Sequence, residues 1–192
     1  MKRFLLLIVG LAVSGMVSAQ KSLLSVDENN KYIYYQVVDM LDIKADSLQK
    51  NMTLFMKEFY PKEKSLKITG SEASVKDKFL TYTSLVKHED GEIAYALNIE
   101  CKDGKYRYWI TNFVFIPYEK DRYGMFVPVN GKDIPLEKAS DKLSKKDADG
   151  YLEQTGVFCK QLGDKLKKYM KEGKQQQPKE DKPVKKIVTD KW

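Results

Sequence analysis

Two Asp-Gly pairs, Asp90-Gly91 and Asp103-Gly104, constrain this chain most. Each sits between stretches in which apolar and polar residues alternate. Asp-Gly favours the two-residue type I′ hairpin, because both central residues need positive φ. With each pair at the centre of its turn, Glu89 faces Glu92 and Lys102 faces Lys105. Val86 then faces Tyr95, Tyr82 faces Ile99, Ile99 faces Tyr108 and Leu97 faces Ile110. Side chains alternate across a strand, so this register sorts them onto two faces. One face takes Leu80, Tyr82, Tyr95, Leu97, Ile99, Tyr106, Tyr108, Ile110 and Val114. The other takes Phe79, Thr81, Thr83, Asn98, Glu100, Arg107, Trp109 and Phe113.

The rest of the chain fits around that sheet. Residues 32–40, YIYYQVVDM, are aromatic and β-branched and read as a strand; 65–70, 79–88, 93–101 and 105–118 read as four more. Residues 46–60 read as a helix with Leu48, Met52, Phe55, Met56 and Phe59 on one stripe, Asp46 as its cap and Pro61 as its stop. A second helix runs from about Lys145 to Lys171 behind Ser144, and Gly150 could break it. Residues 119–143 are irregular, with a short strand at 125–129. The expected domain is therefore α+β: a curved antiparallel sheet with two helices on one face, spanning 32–171. Residues 20–31 read as loose, and the Lys-, Gln- and Pro-rich stretch 172–192 as a disordered tail.

Residues 1–19, MKRFLLLIVGLAVSGMVSA, read as a cleavable signal peptide. Lys2 and Arg3 precede an apolar run, and Val17-Ser18-Ala19 supplies small residues before Gln20. The run is too short for a comfortable membrane span. The mature chain is thus expected to be secreted or periplasmic, with no transmembrane anchor after cleavage. The net charge of +7 resides partly in the two ends, so the body carries only a small surplus. That surplus and the exported address argue against a nucleic-acid partner, although KYRYWI at 105–110 interleaves bases with aromatics.

The order strand, helix, four or more strands, helix resembles a secreted bacterial family known as a domain of unknown function with a TBP-like fold (DUF4468-like). The resemblance rests on YIYYQVVDM followed by KADSLQKNMTLFMKEFY, on DGKYRYWIT feeding into FVFIPY, and on the long closing helix. It implies the curved sheet with both helices on one face, and it implies no activity and no catalytic residues.

Little else in the sequence points to catalysis. His88, the one histidine, sits beside an acidic turn with no partner for base catalysis. One His and two Cys are too few for a zinc site, so neither metal nor cofactor is expected. Gly-x-Ser-x-Gly and phosphate-binding loops are absent. Cys101 and Cys159 could form one disulfide in an oxidising compartment or remain buried thiols. The strongest candidate surface is the sheet face without helices. There the register puts Thr83, Asn98 and Trp109 in one row and Thr81, Glu100 and Arg107 in the next, with Phe113 further along. The expected role is a non-catalytic binding module of the cell envelope, with an unknown protein or envelope component as partner. The alternatives are an inhibitor-like protein acting on a secreted enzyme, or a hydrolase with an unrecognised carboxylate site.

Overall fold

The computed structural model describes residues 23–83, 89–129 and 131–173. The signal-peptide reading, His88 and all of the tail beyond Gly173 lie outside these residues. The described strands are β1 (Ser25–Val26), β2 (Tyr32–Asp39), β3 (Lys67–Thr69), β4 (Glu72–Tyr82), β5 (Glu89–Lys102), β6 (Lys105–Lys120), β7 (Phe126–Pro128) and β8 (Ile134–Pro135). The helices are α1 (Ala45–Phe59), a short α2 (Ala139–Lys142) and α3 (Lys145–Glu172). The strands form a curved, unclosed antiparallel sheet in the order β1-β2-β6-β5-β4-β3, with β7 and β8 both joined to β6.

The core lies between one face of this sheet and the stripes of α1 and α3. Leu48, Met52, Phe55 and Met56 of α1 meet Val75, Leu97, Ile99, Tyr106, Tyr108 and Ile110 of the sheet. Phe59 is partly exposed but stacks on Phe55, with Tyr169 of α3 edge-on to both rings. Ser144 caps α3 as expected. Its Oγ accepts from the Asp147 N–H at 3.2 Å and donates to Asp147 Oδ2 at 2.6 Å. Gly150 does not break this helix.

The cap of α1 differs from the expectation. Asp46 lies inside the first turn, and Lys44 at the cap position makes no side-chain bond. Instead Asp103, in the β5–β6 turn, accepts from the Ala45 N–H at 2.8 Å. A helix start is thereby tied to a hairpin turn distant in sequence. Asp103→Ala should cost about 1 kcal/mol, as other lost caps do. Urea unfolding checks this, and an unchanged midpoint would show that water replaces the carboxylate.

The second hairpin keeps the register read from the sequence: Lys102 pairs with Lys105, Ile99 with Tyr108 and Leu97 with Ile110. The first does not. Asp90-Gly91 lies inside β5, with Gly91 opposite Thr81 and Glu89 opposite Tyr82, so the pair is not the turn. Two local reasons account for this. Asp90 is engaged as an acceptor, from the Thr81 hydroxyl and from the Tyr151 hydroxyl of α3, both at 2.8 Å. Gly91 has no positive φ, and a Cβ there would lie 2.5 Å from Phe115 Cε2. Its glycine serves close packing rather than a turn. The tight turn missed upstream is Gly70-Ser71, between the paired Thr69 and Glu72, with Gly70 at φ 53°.

An odd slip in register exchanges the faces of a strand. Thr81, at 0% exposure, and Phe79 therefore face the helices, while Leu80 and Tyr82 point outward. A second exchange occurs in β6. Asn112 takes φ 56°, and the register shifts between Ala94 and Ala96. This bulge turns the strand over, so Phe113 and Phe115 are both buried in the core. Phe113 is thus corrected from the open face to the core. Cys101 and Cys159 are both buried and unbridged; the Cys101 thiol lies 3.7 Å from Met52 Sδ.

Candidate functional site

The face turned away from α1 and α3 carries a polar and aromatic surface built by five adjacent strands. One row runs Lys67, Ser74, Asn98, Trp109, Tyr35 across β3, β4, β5, β6 and β2. The next runs Thr69, Glu72, Glu100, Arg107, Val37. Asn98, Glu100, Arg107 and Trp109 are brought together as the sequence suggested. Thr83 is not: it lies beyond the end of β4, and Ser74 holds the place expected of it. Likewise Glu72 replaces Thr81 beside Glu100. Both replacements come from the same slip of nine residues.

Charge organises the centre of this face. The Arg107 guanidinium clamps Glu100 Oε2, its Nε donating at 2.6 Å, and Lys102 Nζ lies 3.2 Å from Glu100 Oε1. These two cations, Arg107 before Lys102, hold the Glu100 carboxyl below its ordinary range. Glu100 and then Tyr35 in turn push the Arg107 pKa up. Arg107 also stands over the Trp109 ring, 5.4 Å from its centroid, in a cation–π contact. The Trp109 ring is half-buried.

Two shallow grooves flank the ion pair. One, of about 380 Å³, runs past Lys67, Glu72, Ser74, Asn98 and Trp109. The other, of about 210 Å³, is lined by Tyr35, Val37, Lys102 and Lys105. Glu100 and Arg107 border both. The described residues between 119 and 143 form no strand paired across this face. Their strands β7 and β8 pair along β6 instead.

Catalytic groups are sparse on this face. Glu92 is held by Lys78 at 2.5 Å and by the Tyr118 hydroxyl at 3.1 Å. It stands eight residues from Glu100 on the same strand, roughly 25 Å at the rise of a β-strand. That is beyond the reach of paired carboxylate chemistry, which needs about 5–9.5 Å. Glu72 does face Glu100 directly across β4 and β5. The two cysteines are no nucleophiles: burial, then Glu100, pushes the Cys101 thiol up to about 12, and burial also raises Cys159. Among the described residues no group of three or more His, Cys, Asp or Glu could hold a metal ion. No helix among them is long and apolar enough to cross a membrane.

This topology is that of the TBP-like α+β folds. The model of the family described as "Domain of unknown function (DUF4468) with TBP-like fold" matches residues 34–116. That match bears out the resemblance carried by YIYYQVVDM, the helix after it and the DGKYRYWIT strand. Among solved structures, a TBP-like protein from Parabacteroides distasonis is similar at a TM-score of 0.62 and 16% identity. The alignment covers 77% of this chain and 97% of that one. A DUF4468 family protein from Bacteroides ovatus is similar at a TM-score of 0.53 and 14% identity, covering 78% of this chain and 91% of the other. At these identities the likeness is one of fold. No curated protein matches the chain.

Proposed function

We propose that this protein is a non-catalytic binding module of the bacterial cell envelope, exported by residues 1–19, which docks its partner on the open sheet face around Trp109. One observation carries this reading. A half-buried tryptophan lies between Asn98 and Tyr35, beside an Arg107–Glu100 pair, on the sheet face turned away from the two long helices. Aromatic and arginine side chains are those that most often anchor interfaces. The grooves are shallow and open, which suits an extended or flat partner better than a small substrate.

Hydrolysis by the facing carboxylates Glu72 and Glu100 is the second reading. A general acid must be held above its ordinary range to carry a proton at neutral pH. Glu100 is held below it, and Arg107 occupies its oxygen. Binding is therefore favoured. An inhibitor-like role would use the same face and differs only in what is bound.

The test is differential capture from envelope extracts. The wild-type chain should retain a component that Trp109→Ala and Arg107→Ala lose by about tenfold or more, the scale of a central anchor. Identical retention by all three proteins would remove the open face from the account.

A further inference from the structure

We propose that the β6–β7 hairpin is a membrane-contact finger, seating its tip in the interfacial layer of an anionic lipid surface. This goes beyond the Trp109 face and involves other residues. The end of β6, Tyr118 to Lys120, leaves the main sheet and pairs only with β7 as a narrow ribbon. At its turn Tyr123 is 74% exposed and Met125 65%, with Phe126 and Val127 exposed behind them.

The tip is built rather than loose. Asp121 Oδ1 accepts from the N–H groups of Tyr123 and Met125 at 2.8 and 2.9 Å. The Asp121 N–H donates to the Met125 carbonyl at 2.8 Å, and Gly124 takes φ 78° between the two apolar residues. The loop thus holds two large apolar side chains outward.

Both acids of the ribbon have local partners. Asp121 is committed to the turn amides, and Glu119 is paired with Lys132 at 2.6 Å. The cations Lys120 and Arg122 lie over the rings of Phe126 and Tyr123, at 5.3 and 4.7 Å from the centroids. An apolar, aromatic tip with a cationic collar fits the boundary between acyl chains and headgroups. Anionic headgroups complement Lys120 and Arg122. A specific protein interface needs about 1,000 Å² of complementary area. A narrow convex ribbon reaches that only inside a deep pocket, whereas interfacial seating needs just the tip.

The experiment is co-sedimentation of the full chain lacking residues 1–19 with large vesicles. One set is phosphatidylcholine alone, the other phosphatidylcholine mixed with phosphatidylglycerol. The chain should bind the anionic vesicles more tightly, and less so as salt is raised. Combining Tyr123→Ser with Met125→Ser should weaken partitioning about tenfold or more without lowering the melting temperature, since both side chains are exposed. Arg122→Glu should weaken it on anionic vesicles alone. Sedimentation with neither vesicle would overturn the proposal and leave the finger to a protein partner. Undiminished binding by the double variant would also overturn it, placing the contact in the Lys-rich segment 174–192.

Discussion

Phe113→Ala should destabilise the domain by about 4 kcal/mol, the usual cost of emptying a phenylalanine site in a packed core. Phe113 is 0% exposed and sits in the same cluster as Phe115, Ile110 and Tyr95. For a domain of this size the melting temperature should fall by about 10 °C or more. The effect depends wholly on the bulge at Asn112. Were β6 regular beyond Thr111, Phe113 would stand on the open face beside Trp109, and its removal would cost about 1 kcal/mol or less. Differential scanning calorimetry separates the two cases. A small loss would mean that the register shift opposite Tyr95 is absent and that the sequence-derived faces of β6 hold to its end.

Gly163→Ala carries the second large effect, and its sign is the informative part. Gly163 lies in the middle of α3, where alanine is normally favoured over glycine by about 1 kcal/mol. Here a Cβ would collide with the Tyr108 hydroxyl and lie 3.1 Å from Tyr108 Cζ. Tyr108 is fully buried, and its rigid ring can yield only by displacing core neighbours. Overpacking costs about 1–3 kcal/mol and should exceed the propensity gain, so the variant should be less stable by about 2 kcal/mol. Tyr108→Phe removes the atom that the new methyl strikes. Combined with Gly163→Ala it should restore at least half of the loss, a coupling of about 1 kcal/mol in a double-mutant cycle. A stabilised Gly163→Ala protein would show that α3 does not lie against β6 at this distance.

These residues also show what the sequence made legible. The helices were readable because their stripes are long: Leu48, Met52, Phe55 and Met56 on α1, and Thr155, Cys159, Leu162 and Leu166 on α3, are all buried. Asp103-Gly104 was readable because its turn is the dominant local feature, and with it came Asn98, Glu100, Arg107 and Trp109 as neighbours. Asp90-Gly91 has the same two letters and a different task. Its aspartate anchors α3 and its glycine makes room for Phe115, and both reasons lie in residues far along the chain. Asn112 gave no warning of its bulge, since asparagine accepts positive φ without demanding it. Ser74 and Glu72 were missed at the candidate site because β4 slips against β5, and Tyr35 because no turn joins β2 to β6. Reading Gly70-Ser71 as a turn would have placed Glu72 and Ser74 on a strand paired with β3, without fixing their partners on β5.

The central claim is that Trp109 is a surface anchor rather than part of the core. Trp192→Phe leaves Trp109 as the sole indole, because the chain has two tryptophans. Its emission should shift when the component retained from envelope extracts is titrated in. Trp109→Ala should abolish that binding while lowering stability by only about 1 kcal/mol, as for a half-exposed site. Unchanged emission on binding, together with a large loss of stability in Trp109→Ala, would contradict the claim and return Trp109 to the core.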